Sequence, residues 1–158
     1  MSNDLTFLFD GTPYHFRDWP VTAVPDVAAG VYTIWERDQF VYVGMSGRGA
    51  SAEKLDERRS RGKPFGLYTR LASHASGRRS GDQFCVYVAD YLVLPKLSDE
   101  QIHAISRRDL SFDSLVREYI HEQLSFRFVT TSNGDEALGI EDRIKRGALG
   151  ARPTLNPA

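Results

Sequence analysis

The stretch Gly30-Val31-Tyr32-Thr33-Ile34-Trp35-Glu36-Arg37-Asp38-Gln39-Phe40-Val41-Tyr42-Val43-Gly44 decides the fold class. Two runs of β-branched and aromatic residues, Gly30–Trp35 and Phe40–Val43, flank the polar piece Glu36–Gln39. Such residues suit a half-buried pleated surface, and a short polar segment between two such runs reads as a hairpin loop. Upstream, Leu5-Thr6-Phe7-Leu8-Phe9 and Tyr14-His15-Phe16 around Asp10-Gly11-Thr12-Pro13 read as a second, short hairpin. Residues 19–29, with Pro20, Pro25 and three alanines, read as a connector.

Downstream, residues 45–65 are polar, basic and glycine-containing and predict a long loop with a helical turn. Leu67, Leu71 and Ala75 recur every four residues before Gly77, the spacing of a helix face and its stop signal. Phe84–Leu94 is the strongest strand signal in the chain. Ser98 with Gln101 forms a capping-box pattern for a helix to about Arg108. A helix over about Asp113–Leu124, a strand over Phe126–Thr130 and a helix over about Asp135–Leu149 complete the pattern. The expected class is α/β in the broad sense (α+β): a small mixed or antiparallel sheet flanked by helices, without regular βαβ alternation. Residues 1–158 read as one domain, with 1–28 an N-terminal extension and 84–124 an insertion.

The 158 residues carry 20 Lys/Arg and 21 Asp/Glu, and 41 % are hydrophobic, so a core is expected and a globally basic coat protein is excluded. The charge is uneven: residues 44–82 hold nine Lys/Arg against four Asp/Glu, a local balance of +5. An acidic partner should dock there. No apolar run approaches the ~20 residues of a membrane span. Met1-Ser2-Asn3-Asp4 lacks the basic start of a secretory leader. Cys85 is the only cysteine, so neither an internal disulfide nor a cysteine zinc site can form. These features point to a cytoplasmic protein. Cys85 reads as a small buried hydrophobe. His15, His103 and His121 lack ligand spacing, and Gly47-x-Gly49 lacks the third glycine of a dinucleotide motif.

Gly30-Val31-Tyr32, Tyr42-Val43-Gly44, Arg70-x-x-x-His74, Glu141 and Pro153-Thr154-Leu155-Asn156 occur in that order. The ordered series resembles the GIY-YIG nuclease superfamily over roughly residues 29–78 and 125–157. The long segment between Gly44 and Arg70 and the Arg-x-x-x-His pair look most like its restriction-endonuclease branch. Many members carry Lys after the second Gly; here it is Met45, and Lys63, Arg58, Arg59 or Arg61 is expected to supply that charge.

The resemblance implies a DNA endonuclease that uses a single Mg²⁺ or Mn²⁺. Glu141 would hold the ion, with water and phosphate oxygens filling the other positions. Arg70 would grip the phosphate bidentately. Tyr32 would be the general base or water positioner, with His74 stabilising its phenolate. Tyr42 would bond the phosphate or the base, and Asn156 would steady Glu141 or a metal-bound water. The basic residues Arg58, Arg59, Arg61, Lys63, Arg78 and Arg79 are expected to contact DNA phosphates. A double-strand break needs two sites, so a homodimer or partner protein is expected; Phe84–Leu94 is expected either to pair within the sheet or to be covered by the helices that follow, with dimerisation through it as the lesser alternative. The competing readings are a non-catalytic nucleic-acid-binding module of the same fold and a ligand- or protein-binding α/β domain.

Overall fold

The computed structural model describes residues 3–157; Met1 and Ser2, part of the N-terminus read as leaderless, lie outside it, as does Ala158. The expected central hairpin is present and longer than its propensity signal. Strands β2 (Val27–Glu36) and β3 (Gln39–Ser46) are antiparallel, with a bulge at Ile34/Trp35. β5 (Leu124–Thr131) pairs antiparallel on the other side of β2, and the two-residue strand β1 (Tyr14–His15) extends β5, giving the order β1-β5-β2-β3. The short strand β4 (Phe65–Gly66) pairs parallel to the start of β2. The sheet is therefore mixed, and the α+β class holds. Among the described residues no helix is long and apolar enough to cross a membrane.

Side chains of a strand alternate between its two faces, and β2 uses both. Tyr32 and Ile34 face a core built with Leu67, Leu71, Phe84 and Ile120. Val31 and Trp35 face a second core with Leu5, Leu8, Ala137 and Ile144. The first layer carries α3 (Leu67–Ser76), α4 (Gln83–Tyr87) and α6 (Phe112–Gln123); the second carries α1 (Asn3–Asp10) and α7 (Gly134–Lys145). α2 (Ala52–Ser60) and α5 (Asp99–Ser106) lie outside, and Leu55 is the one buried side chain of α2.

Two expectations are corrected. Leu5–Phe9 is not a hairpin strand but part of α1. Leu5 and Leu8, three apart, are buried in the second core, and the Gly11 N–H donates to the Phe7 carbonyl (2.8 Å), so Asp10-Gly11 ends a helix. Tyr14–His15 pairs with β5 instead. Phe84–Leu94 is not a strand either: it forms α4 and then a wide helical turn over Val88–Val93. Phe84, Cys85, Val88 and Ala89 are all fully buried, the i, i+1, i+4, i+5 pattern of one helix face. Packing on that face overrode the β propensity of the individual residues. A helix satisfies its own backbone, so this segment offers no sheet edge through which to dimerise.

Three further segments refine the sequence reading. The polar stretch after β3 contains α2, capped by Ser51, whose Oγ accepts from the Lys54 N–H (3.2 Å). The Ser98/Gln101 capping box is formed at the start of α5. The edge strand β3 is partly covered: the Thr154 and Leu155 N–H groups donate to the Phe40 and Val41 carbonyls (3.3 and 2.8 Å).

Candidate functional site

β3 sits at the end of the sheet, and past Val43 a cavity of about 320 Å³ opens along it. Its walls include Tyr32, Tyr42, Arg70, His74, Asp82, Phe84 and Glu141, together with the Gly44–Arg48 segment. Each side chain arrives for a local reason. The register sets Gly44 opposite Tyr32 and Tyr42 opposite Ile34, so Tyr42 is a diagonal neighbour of Tyr32 on the same face. The two rings lie 6.4 Å apart. Gly44 makes room for the phenol: a Cβ there would stand 2.3 Å from the Tyr32 hydroxyl oxygen. Arg70 and His74 are one turn apart on α3, which ends at Gly77 in the left-handed conformation (φ 70°). A side chain at Gly77 would also strike the backbone of Arg117 on α6. Glu141 comes from α7 in the opposite layer, and at the end of β3 it shares the cavity with Tyr32.

A chain of buried hydrogen bonds runs through the site. The Tyr32 hydroxyl and His74 Nε2 are 2.7 Å apart, and His74 Nδ1 is 2.7 Å from Asp82 Oδ2. The same Asp82 oxygen accepts from Ser73 Oγ (2.6 Å), while Oδ1 accepts from the Cys85 N–H (3.1 Å) and so caps α4. Tyr32, His74 and Asp82 are each no more than 2 % exposed. The Phe84 ring packs on His74 and Tyr42 at 4.6 and 5.0 Å.

Burial dominates the acid–base properties. It pushes the Tyr32 phenol well up, with the Tyr42, Asp82 and Glu141 charges adding and Arg70 opposing. It pushes Tyr42 up to about 12, helped by Glu141 and Asp82. It holds His74 below the usual imidazole value, against the Asp82 hydrogen bond and charge and with the help of Arg70. Burial would also raise Asp82, but the bonds from His74, Ser73 and the Cys85 N–H outweigh it and hold the carboxyl at about 2. Burial raises the Cys85 thiol, so this cysteine is inert, as its sequence position suggests.

Five of the six residues singled out from sequence line this one cavity: Tyr32, Tyr42, Arg70, His74 and Glu141. Asn156 does not. Its Oδ1 accepts from the Val43 N–H (2.8 Å) and its Nδ2 donates to the Val43 carbonyl (2.9 Å). Its amide thus extends the pairing of the chain end along β3 to the residue just before the cavity. These bonds fix the edge of the sheet, and no hydrogen bond joins Asn156 to Glu141 among the described residues. Asp82 was missed by sequence reasoning. Its signal is an Asp directly before a helix, hidden because the segment after it reads as a strand.

Among the described residues no three His, Cys, Asp or Glu side chains cluster as a metal site. Glu141 is nearly buried, and its Oε1 is 3.2 Å from Lys145 Nζ one turn along α7. One carboxylate facing a polar cavity fits a Mg²⁺-like ion that keeps most of its water and takes its other oxygens from a phosphate.

None of the six basic residues expected to meet phosphates lines the cavity; Arg48, not singled out, does. Arg59 and Arg61 pair with Asp56 and Glu57 on α2 (both 2.5 Å), and Arg58 lies over the Phe65 ring. Arg79 pairs with Asp113 (2.6 Å) and covers Phe112; Arg78 borders a separate groove beside Trp19. Lys63 is exposed. A second cleft of about 390 Å³ gathers Lys145, Arg146 and Arg152 around Asp142, Pro153 and Asn156. Arg146 and Arg152 make no ion pair among the described residues.

Fold and site together define an α+β protein with a polar cavity at the end of its edge strand and a buried Tyr–His–Asp chain in the cavity wall. No protein-family model, curated protein or solved structure was found to match the chain.

Proposed function

We propose that this protein is a metal-dependent endonuclease of the GIY-YIG type that hydrolyses DNA phosphodiester bonds. The observation that carries the proposal is the meeting of Tyr32, Tyr42, Arg70, His74 and Glu141, drawn from β2, β3, α3 and α7, in one cavity. A single phosphodiester must touch groups of these kinds together. Chance motif residues would have no reason to converge.

Arg70 has no ion-pair partner among the described residues and is exposed, so its guanidinium is available to bind a phosphate bidentately. Tyr42 lines the same wall and orients a phosphate oxygen. Tyr32, packed against the walls, holds the attacking water in line. Glu141 would hold a divalent ion, which when bound would supply positive charge to offset that developing on the phosphate oxygens. The cleft with Lys145, Arg146 and Arg152 is linked to the site by the Lys145–Glu141 ion pair and suits the next phosphates of the strand. The basic residues of α2 and its surroundings remain more distant phosphate contacts. The described residues of one chain form one cavity with this set of side chains, and one cavity cuts one strand, so double-strand cleavage requires a second copy or a partner.

The test is supercoiled plasmid incubated with the purified protein and Mg²⁺ or Mn²⁺, beside Glu141→Ala. Nicked product should form with the wild type, and the variant should bind DNA with nearly unchanged affinity and cut none. A wild type that leaves plasmid, linear and branched DNA intact under both metals, or a variant that cuts equally well, overturns the proposal.

A further inference from the structure

We propose that Asp82, His74 and Tyr32 form a proton relay in which His74 Nε2 is the final proton acceptor and Asp82 is the positioning residue that fixes the imidazole tautomer. The relay rests on the nuclease reading above and changes the part Tyr32 plays in it.

The assignment follows from donors and acceptors. An ionised carboxylate only accepts hydrogen bonds. Asp82 receives three, from Ser73 Oγ–H, the Cys85 N–H and His74 Nδ1. His74 Nδ1 therefore carries its proton, and in a neutral ring Nε2 is then bare. The group facing Nε2 is the Tyr32 hydroxyl at 2.7 Å, which must donate. Tyr32 lines the cavity, and its phenol oxygen keeps a lone pair able to accept from a water there.

A nucleophilic water can then be deprotonated without a free phenolate ever forming. As the water oxygen bonds to phosphorus, its proton passes to the Tyr32 oxygen and the phenol's own proton passes to His74 Nε2. The imidazolium is held against the Asp82 carboxylate. The phosphorus–oxygen bond to the leaving nucleoside breaks, and that oxygen takes a proton from solvent. His74 afterwards returns its proton through Tyr32 to water. The net change is one water added across one phosphodiester.

This wiring suits the electrostatics better than the phenolate expected from sequence. Burial disfavours charge on Tyr32, and His74 is held neutral and so cannot stabilise a phenolate as a cation. The groups around His74 are consistent with it: Tyr32 from β2, Tyr42 from β3, Arg70 on its own helix, Asp82 and Cys85 at the start of α4, and Glu141 across the cavity.

Asp82→Asn tests the assignment. The amide that replaces the carboxylate can donate to Nδ1, which moves the ring proton to Nε2 and turns Tyr32 from donor into acceptor. The single-turnover cleavage rate should fall by about 10²–10⁴-fold with DNA affinity within about twofold of wild type. ¹⁵N NMR of His74 should show the proton on Nδ1 in the wild type and on Nε2 in the variant, a change that a merely structural defect does not produce. Tyr32→Phe provides a second arm should Asp82→Asn fail to fold: its rate should fall comparably, with the Nδ1–H tautomer retained. A folded Asp82→Asn protein that cuts at the wild-type rate overturns the relay while leaving the nuclease intact. So does a wild-type His74 protonated on Nε2, or a Tyr32→Phe protein that cuts normally or loses the Nδ1–H tautomer. A wild type that cuts no DNA overturns the nuclease reading itself, and the relay with it.

Discussion

Gly44→Ala places a methyl carbon 2.3 Å from the Tyr32 hydroxyl oxygen and 2.5 Å from the ring carbon that bears it. Ordinary contact begins near 3.4 Å, so the oxygen has to retreat by about 1.1 Å, the difference between the two distances. It has little room to do so. Tyr32 is 1 % exposed, and its hydroxyl is 2.7 Å from His74 Nε2. Either the phenol leaves its hydrogen bond with His74 or β3 bows away from β2. Overpacking of this kind costs about 1–3 kcal/mol, which for a chain of this size lowers Tm by roughly 2–12 °C. Misplacing a catalytic oxygen by about 1 Å costs about 100-fold in rate. The assay is plasmid nicking under single-turnover conditions, with thermal melting on the same preparations. Gly139→Ala is the control: it lies on α7, and nothing stands within 4 Å of the added carbon. It should leave cleavage unchanged and stabilise the fold by up to ~1 kcal/mol. A Gly44→Ala protein with wild-type Tm and rate would refute the close fit between Gly44 and the Tyr32 hydroxyl.

Phe84→Ala removes a fully buried ring that packs on His74 and Tyr42, so it should cost about 3–5 kcal/mol, read by urea unfolding; a loss under 1 kcal/mol would contradict its place in the core. Arg146→Ala and Arg152→Ala should each weaken DNA binding and reduce the slope of log affinity against log salt by about one, whereas unchanged slopes would remove the C-terminal cleft from the strand's path. Acid should destabilise the protein in two stages. The folded value of His74 lies below the unfolded one, so the unfolded chain takes up protons first and stability falls as pH drops below about 6.5. Asp82 is held at about 2, so its contribution is present above the unfolded carboxyl value near 4 and is lost as pH falls from there toward 2. Melting temperatures from pH 7 to 2.5 should show both stages, and Asp82→Asn should have a shallower second stage, with Glu136 still contributing to it; an identical acid limb in the variant would refute the assignment.

The sequence by itself determined the central hairpin, α3, the capped α5, α6, β5 and α7, because each rests on a local pattern: alternating apolar residues, a four-residue repeat, a cap or a glycine stop. It also picked out Tyr32, Tyr42, Arg70, His74 and Glu141 through their order along the chain. Only the tertiary structure decided the rest. Leu5–Phe9 and Phe84–Leu94 carry strand-forming residues yet are helical, because Leu5, Leu8, Phe84, Cys85, Val88 and Ala89 each have a core to enter only on a helix face. Asn156, legible as a site residue, is used at the edge of β3, since the chain end pairs there and its amide can take the place of the next backbone partner. The local mark of Asp82, a helix cap, is hidden by the strand-forming residues that follow it. Its place behind His74 depends on the turn after α3 bringing a loop carboxylate back to a buried ring, and a contact of that kind is set by packing in three dimensions rather than by spacing along the chain.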